Sequence, residues 1–104
     1  MKISLTTRER QHLKARAHAL EPRVQVGHSG LTDALAAEVD RALTAHELIK
    51  VKIVGDDRDL RAEIAESIAK RTDATLVQSV GKVVVLWRPR QEEDSGPPKG
   101  GTGS

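Results

Sequence analysis

The chain has 104 residues, of which 38% are hydrophobic and 31% are charged, with a net charge of +2 and no cysteine. This composition predicts a single small domain with a modest core, and it excludes disulfides, thiolate metal sites and a deep pocket for a small-molecule substrate. No apolar stretch has the about 18 residues of a membrane helix or resembles a secretory signal, so we expect no membrane partner and a cytoplasmic location.

The first predicted element is a helix that begins after Thr6 and ends near Pro22. Thr6 and Glu9 have the spacing of a capping box, in which a hydroxyl and a carboxylate each bind an otherwise unpaired backbone amide. Apolar residues follow at helical spacing, namely Leu13, Ala17 and Leu20.

This helix lies in a basic segment. Residues 1–28 carry six Lys/Arg and two Glu, whereas residues 31–47 carry one Arg and four Asp/Glu. At about 100° per residue, Arg10 and Lys14 fall on one flank of the apolar stripe, and His12 and Arg16 fall on the other. A local positive field attracts phosphate, although a solvated helix explains the charge alone equally well.

The next elements alternate between strand and helix. Residues 24–26 form a short apolar strand, and residues 31–46 repeat apolar side chains at helical spacing. In residues 48–54, apolar residues alternate with Lys50 and Lys52, as in a strand with one buried face and one wet, positive face. These lysines are candidates to extend a basic surface, but a solvated strand face is the commoner explanation.

The last part of the sequence predicts a helix and a hairpin. Residues 56–59 supply acidic caps for a third helix with apolar residues Leu60, Ile64 and Ile68. Strands at about residues 75–80 and 83–88 flank Gly81-Lys82, a pair that suits a tight hairpin.

The predicted fold class is therefore α/β, a single small domain in the order α-β-α-β-α-β-β with a four-stranded mixed sheet. Right-handed crossovers are expected to make the first three strands mostly parallel and the last one antiparallel to its neighbour. The helices are expected to lie mainly on one face. Residues 1–89 form the predicted domain, and residues 90–104, which have no apolar side chain for a core, form a predicted disordered tail.

The loop Gly27-His28-Ser29-Gly30 joins the first strand to the second helix. Two glycines here permit a tight turn, present backbone amides at the positive end of a helix and remove Cβ atoms that would hold a phosphodiester away. Two glycines alone more often form a simple turn, with Ser29 or Thr32 capping the helix. The neighbouring basic segment favours an anion site, and His28 and Ser29 can donate hydrogen bonds to phosphate or ribose.

Five blocks of sequence, LKARAHALEP at 13–22, VGHSGLT at 26–32, HELIKVK at 46–52, VGK at 80–82 and LWRP at 86–89, together resemble the bacterial YhbY family of CRM domains. The blocks occur in order across roughly residues 4 to 89. The resemblance implies a small α/β domain similar to the C-terminal domain of bacterial translation initiation factor 3, with an RNA-binding loop similar to that of KH domains. It also implies association with precursors of the large ribosomal subunit.

By position in that family, the RNA-binding residues are expected on the loop and on the first helix. The loop residues Gly27, His28, Ser29 and Gly30 are expected to clamp the RNA backbone, and Lys14, Arg16 and His18 to add positive charge beside it. Arg10 is also expected to be an RNA-binding residue. Family members often carry lysine in this loop, whereas His28 stands here and carries less positive charge than lysine at pH 7.

Aromatic content bears on the mode of binding. Trp87 is the only aromatic residue, so the chain cannot build an aromatic platform that stacks unpaired bases. Trp87 itself is more consistent with packing than with base stacking. Binding is therefore expected to rest on phosphate and sugar contacts, with weak base specificity and strong salt dependence.

No residue pattern predicts catalysis. The histidines His12, His18, His28 and His46 lack metal-site spacing, and Ser29 and Thr32 have no base at motif spacing. We expect a monomeric RNA-binding protein, without cofactor or metal, that acts in assembly of the large ribosomal subunit. The alternative is a protein-interaction module that uses the acidic second helix and the open sheet face without contacting RNA.

Overall fold

The computed structural model describes residues 5–89, which form three helices and four strands in the predicted order. The helices are α1 (Thr7–His18), α2 (Asp33–His46) and α3 (Arg58–Arg71), and the strands are β1 (Pro22–Val26), β2 (Leu48–Ile53), β3 (Thr75–Val80) and β4 (Val83–Trp87). The α/β class is confirmed. The tail predicted at residues 90–104 lies outside the described residues.

Each helix begins at a residue whose side chain binds the first turn. Thr6 and Glu9 form the predicted capping box, with both hydrogen bonds at 3.0 Å. Thr32, and not Ser29, caps α2 through a 3.1 Å bond from the amide of Leu35. Asp57 caps α3 in the same way. These caps satisfy amides that have no partner within the helix, and they fix where each helix starts.

The four strands form one mixed sheet in the order β1-β2-β4-β3. β1 and β2 are parallel, and β4 is antiparallel to both of its neighbours, β2 and β3. The first three strands therefore run in one direction, and β3 and β4 form a hairpin, both as predicted. In the hairpin, Gly81 at φ +59° turns the chain so that Val83 pairs with Val80. The sequence does not predict that β4 lies between β2 and β3.

Two of the three helices cover one face of the sheet, in agreement with the expectation that most helices share a face. There, Ile49, Val51 and Ile53 pack under α2 and α3 in the main core. α1 covers the other face, where Leu13 and Ala17 pack on Leu48, Val77 and Val85. This smaller core takes buried side chains from β2, β3 and β4, and none from β1 among residues 5–89.

Two further observations concern the helices. Leu60, predicted on the apolar stripe of α3, is 52% exposed, because it lies in the first turn beyond the edge of the core. None of the helices in residues 5–89 has the length and apolar character required to cross a membrane.

Candidate nucleic-acid interface

The loop between β1 and α2 is a closed turn on the surface. The amide of Gly30 donates to the carbonyl of Gly27 at 3.1 Å, and His28 and Ser29 occupy the two central positions. Gly27, His28 and Ser29 are exposed, and Gly30 is partly buried. The tip of the loop is therefore open to a ligand.

The two glycines of this loop have different roles. Gly30 has φ +74°, a left-handed conformation that costs other residues about 1 kcal/mol or more. Gly27 has no such φ, and a Cβ built on it meets no atom within 4 Å. The positive φ of Gly30 explains why glycine stands at position 30. At position 27, a Cβ would meet no atom of residues 5–89 within 4 Å and would not be strained. The fold of residues 5–89 therefore gives no reason for glycine at position 27.

Several carboxylates lie in the elements that follow the loop or adjoin it, and three of them near the ends of these elements have a partner. Asp33, in the first turn of α2, bonds Arg71 at 2.8 Å. Asp56 lies 3.6 Å from the Nζ of Lys82 at the hairpin tip, and Asp57 caps α3. Since these charges are paired or used in a cap, their repulsion of phosphate at the loop is reduced.

A groove lined by basic side chains lies on the face of the sheet that α1 covers. Lys14 and His18 of α1 and Lys50 of β2 line this groove of about 330 Å³, together with Pro22, Val80, Val83 and other side chains. Pro22 pairs with Lys50 at the start of β1, whereas Val83 pairs with Lys52, next to the residue that pairs with Val26 before the loop. The groove therefore extends from the start of β1 toward the loop end of the sheet, with Lys14 and His18 along it.

Arg10 is placed differently. Its Nη1 donates to the carbonyl oxygens of Val77 at 2.6 Å and Leu76 at 3.2 Å, where the pairing of β3 is irregular. These bonds fasten α1 to β3, and the side chain is partly buried. The guanidinium therefore serves packing between α1 and β3.

Arg16 also lies away from the loop. It lines a cleft with Arg23 and His46 beside Leu48, at the start of β2, whereas the loop follows the end of β1. Helical spacing correctly separates Lys14 and Arg16 onto two flanks of α1. It does not show which flank faces the loop.

Three further basic residues lie near these surfaces, and only Lys50 among them is a candidate from the sequence, as an extension of the basic surface. Lys50 is partly buried and donates to the carbonyl of Leu20 at 3.0 Å, so it is not a freely solvated lysine of the strand face. Arg23 and His46 join Arg16 only in the folded chain. The positive charge of residues 1–28 is the sequence feature that indicates Arg23. No sequence pattern predicts that His46 lies beside it.

Trp87 and the side chains that could bind a metal are the remaining candidates from the sequence. Trp87 packs on the core beneath α1, which confirms the packing role predicted for it. Within residues 5–89, no three side chains of the metal-binding types come together as a possible metal site.

Comparison with known proteins identifies the family. Residues 5–88 match the CRS1/YhbY (CRM) domain. The chain is 45% identical to an RNA-binding protein of Haemophilus influenzae over 89 residues, covering 86% of this chain and 90% of that protein. It is 34% identical to Probable RNA-binding protein YqeI of Bacillus subtilis over 88 residues, covering 85% and 92%.

A solved structure has the same fold. The solution structure of a Staphylococcus aureus hypothetical protein, proposed to bind RNA, aligns with a TM-score of 0.76 and 31% identity over 86% of this chain and 93% of that one. The chain belongs to the CRS1/YhbY (CRM) domain family. These relatives are named as RNA-binding proteins and not as enzymes.

Proposed function

We propose that this protein binds ribosomal RNA in precursors of the large ribosomal subunit and acts, without catalysis, in assembly of that subunit. The loop Gly27–Gly30 holds the sugar-phosphate backbone, and Lys14 and His18 supply positive charge beside it. Residues 1–89 form the RNA-binding unit, and residues 90–104 lie outside it. The protein acts as a monomer in the cytoplasm.

The observation that carries this proposal is the exposed Gly27, the first residue of the turn between β1 and α2. A Cβ built on Gly27 would meet no atom within 4 Å. Backbone amides of a turn without a side chain bind phosphate because the phosphate oxygens can approach them closely. Named RNA-binding relatives support the choice of RNA as the ligand. The ribosomal part of the proposal rests on the resemblance to the YhbY family.

A salt titration tests the mode of binding. We expect the affinity for large-subunit ribosomal RNA to fall with salt, with a log-log slope of about −2, since three phosphate contacts each contribute about −0.7 on a single strand. The measurement is fluorescence anisotropy at several salt concentrations. Failure to bind RNA at low salt supports the protein-interaction alternative, and binding with no salt dependence contradicts a backbone grip.

Sedimentation tests the assembly role. Cell extract separated on a sucrose gradient is expected to show the protein in fractions with large-subunit precursors. The loop variant described in the Discussion serves as the matched control and should stay at the top of the gradient. Equal distribution of both proteins among the ribosomal fractions contradicts an assembly role that depends on the loop.

Substitution of each loop glycine by alanine separates folding from binding. Gly30→Ala is expected to lower the free energy of unfolding by about 1 kcal/mol, since alanine is strained at positive φ. Gly27→Ala is expected to leave this free energy within about 0.5 kcal/mol of the natural protein and yet to weaken RNA binding, because its methyl group meets only the ligand. Urea unfolding and anisotropy measure the two effects. Unchanged RNA affinity in Gly27→Ala contradicts close approach of the RNA backbone.

A further inference from the structure

A second group of basic side chains lies at the opposite end of the sheet from the loop. Arg16 of α1, Arg23 of β1 and His46 of α2 surround a cleft of about 130 Å³ whose apolar side chains are Leu20 and Leu48. All three basic residues are exposed. Because they come from three elements, the fold alone creates this concentration of positive charge, which we call the arginine cleft.

The arginines of this cleft are available to a ligand. In the described part of the chain, the ion pairs are made by Arg71, Lys82 and Arg88, and neither Arg16 nor Arg23 takes part in one. Arg16 also lines the adjacent groove under Trp87, which contains Glu9 and Glu47, whereas Arg23 lines the arginine cleft and not that groove.

Helix dipoles do not cancel the positive charge. The C-terminal ends of α1 and α2 lie near the cleft, and each carries a partial charge of about −0.5. Two guanidinium groups exceed this, so the cleft keeps a net positive charge. Guanidinium groups bind phosphate through paired hydrogen bonds.

An uncovered strip of sheet connects the arginine cleft to the loop. Val24 and Val26 of β1 point into the main core, so Gln25 between them faces the α1 side, where the smaller core includes no residue of β1. Arg23 lies at an irregularity in the pairing of β1 with β2 and reaches the cleft beside Arg16 and Leu20 of α1. The neighbouring strand exposes Lys52 on the same side. This strip carries no acidic residue, and from Arg23 to Gly27 it is about 13 Å long at about 3.3 Å per residue.

We propose that the arginine cleft is a second binding site for the RNA backbone, so that one RNA strand lies along β1 from the loop to Arg16 and Arg23. The proposal rests on the proposed function and extends it, because it assigns Arg16 to a contact distinct from the loop. The ligand is the phosphate chain, since the cleft presents guanidinium groups and no aromatic face. The two sites together require an RNA segment that spans both ends of β1.

The test replaces the two arginines of the cleft and measures the salt dependence of binding. With the second site occupied, about five phosphate contacts give the natural protein a log-log salt slope of about −3.5, steeper than the about −2 of the loop site alone. The variant R16Q/R23Q is expected to bind large-subunit ribosomal RNA about tenfold more weakly and to return the slope to about −2, because two contacts of about 0.7 each are lost. The lysine variant R16K/R23K is expected to retain most of the slope. Circular dichroism confirms that each variant is folded.

A matched control removes the same charge elsewhere. Arg41 of α2 and Lys70 in the last turn of α3 are exposed on elements that cover the other face. The variant R41Q/K70Q is expected to change affinity and slope much less than R16Q/R23Q. If the natural protein binds RNA and the salt slope changes equally in R16Q/R23Q and in the surface control, the second site is wrong while the proposed function stands. If the natural protein binds no RNA, both proposals are wrong.

Discussion

Replacing His28 and Ser29 together by aspartate is expected to weaken binding of ribosomal RNA at least tenfold, or about 1.4 kcal/mol. Both side chains occupy the exposed tip of the closed turn, where they have no buried contacts to lose. Two carboxylates there repel the phosphate that the turn is proposed to hold. Stability should change little, since surface substitutions of this kind usually stay within about 0.5 kcal/mol. Anisotropy measures the affinity, and urea unfolding measures the stability.

The control for this variant makes the same change in net charge at the far end of α3. Lys70 is exposed in the last turn of α3, and Lys70→Asp changes the net charge by the same two units. We expect the affinity of this control to stay within about threefold of the natural value, because separated surface charges are screened beyond about 10 Å. An equal loss in both variants assigns the effect to net charge. Natural affinity in a folded loop variant removes the loop from the interface.

Arg88→Ala is expected to lower the free energy of unfolding by about 2–3 kcal/mol, because hydrogen bonds of a charged group contribute about 1.5–3 kcal/mol when they are only partly solvated. The Arg88 guanidinium donates to Asp40 Oδ1 at 2.7 Å, to the Thr72 carbonyl at 2.8 Å and to the Thr44 hydroxyl at 2.8 Å. Its side chain is only 15% exposed. One side chain thereby joins the end of β4 to α2 and to the end of α3.

Urea unfolding compares this variant with a simple loss of surface charge. Arg41→Ala removes an exposed arginine from α2, and we expect it to change stability by at most about 0.5 kcal/mol. Arg88→Lys should recover part of the loss, since an ammonium group keeps the charge but cannot reach three acceptors in the planar arrangement of a guanidinium. If Arg88→Ala costs no more than Arg41→Ala, the three bonds do not stabilise the fold.

Local features of this fold are predictable from sequence because they depend on neighbouring residues. The capping box of Thr6 and Glu9 and the hairpin at Gly81 are determined by interactions within a few positions. The position of β4 between β2 and β3 is not predictable in this way, since strand order depends on contacts between distant segments. The expected end of the first helix lies near Pro22, whereas the helix ends at His18 and β1 already begins at Pro22.

The candidate site shows the same division. The loop and the basic helix follow from composition and spacing, and the resemblance to a family adds the expected ligand. The use of Arg10 on the carbonyls of β3 could not be foreseen, because an exposed and a buried arginine have the same spacing in sequence. Likewise, the separation of Arg16 from the loop depends on how α1 is oriented across the sheet.

The central position of β4 affects how the chain folds during synthesis. β2 and β3 both hydrogen-bond to β4 and not to each other, so the sheet lacks one of its two inner strands until residues 83–87 have been made. The β3–β4 hairpin is local and forms rapidly, whereas its docking on β2 joins segments far apart in sequence and is slower. Folding of the complete domain must therefore wait until its last strand has left the exit tunnel of the translating ribosome.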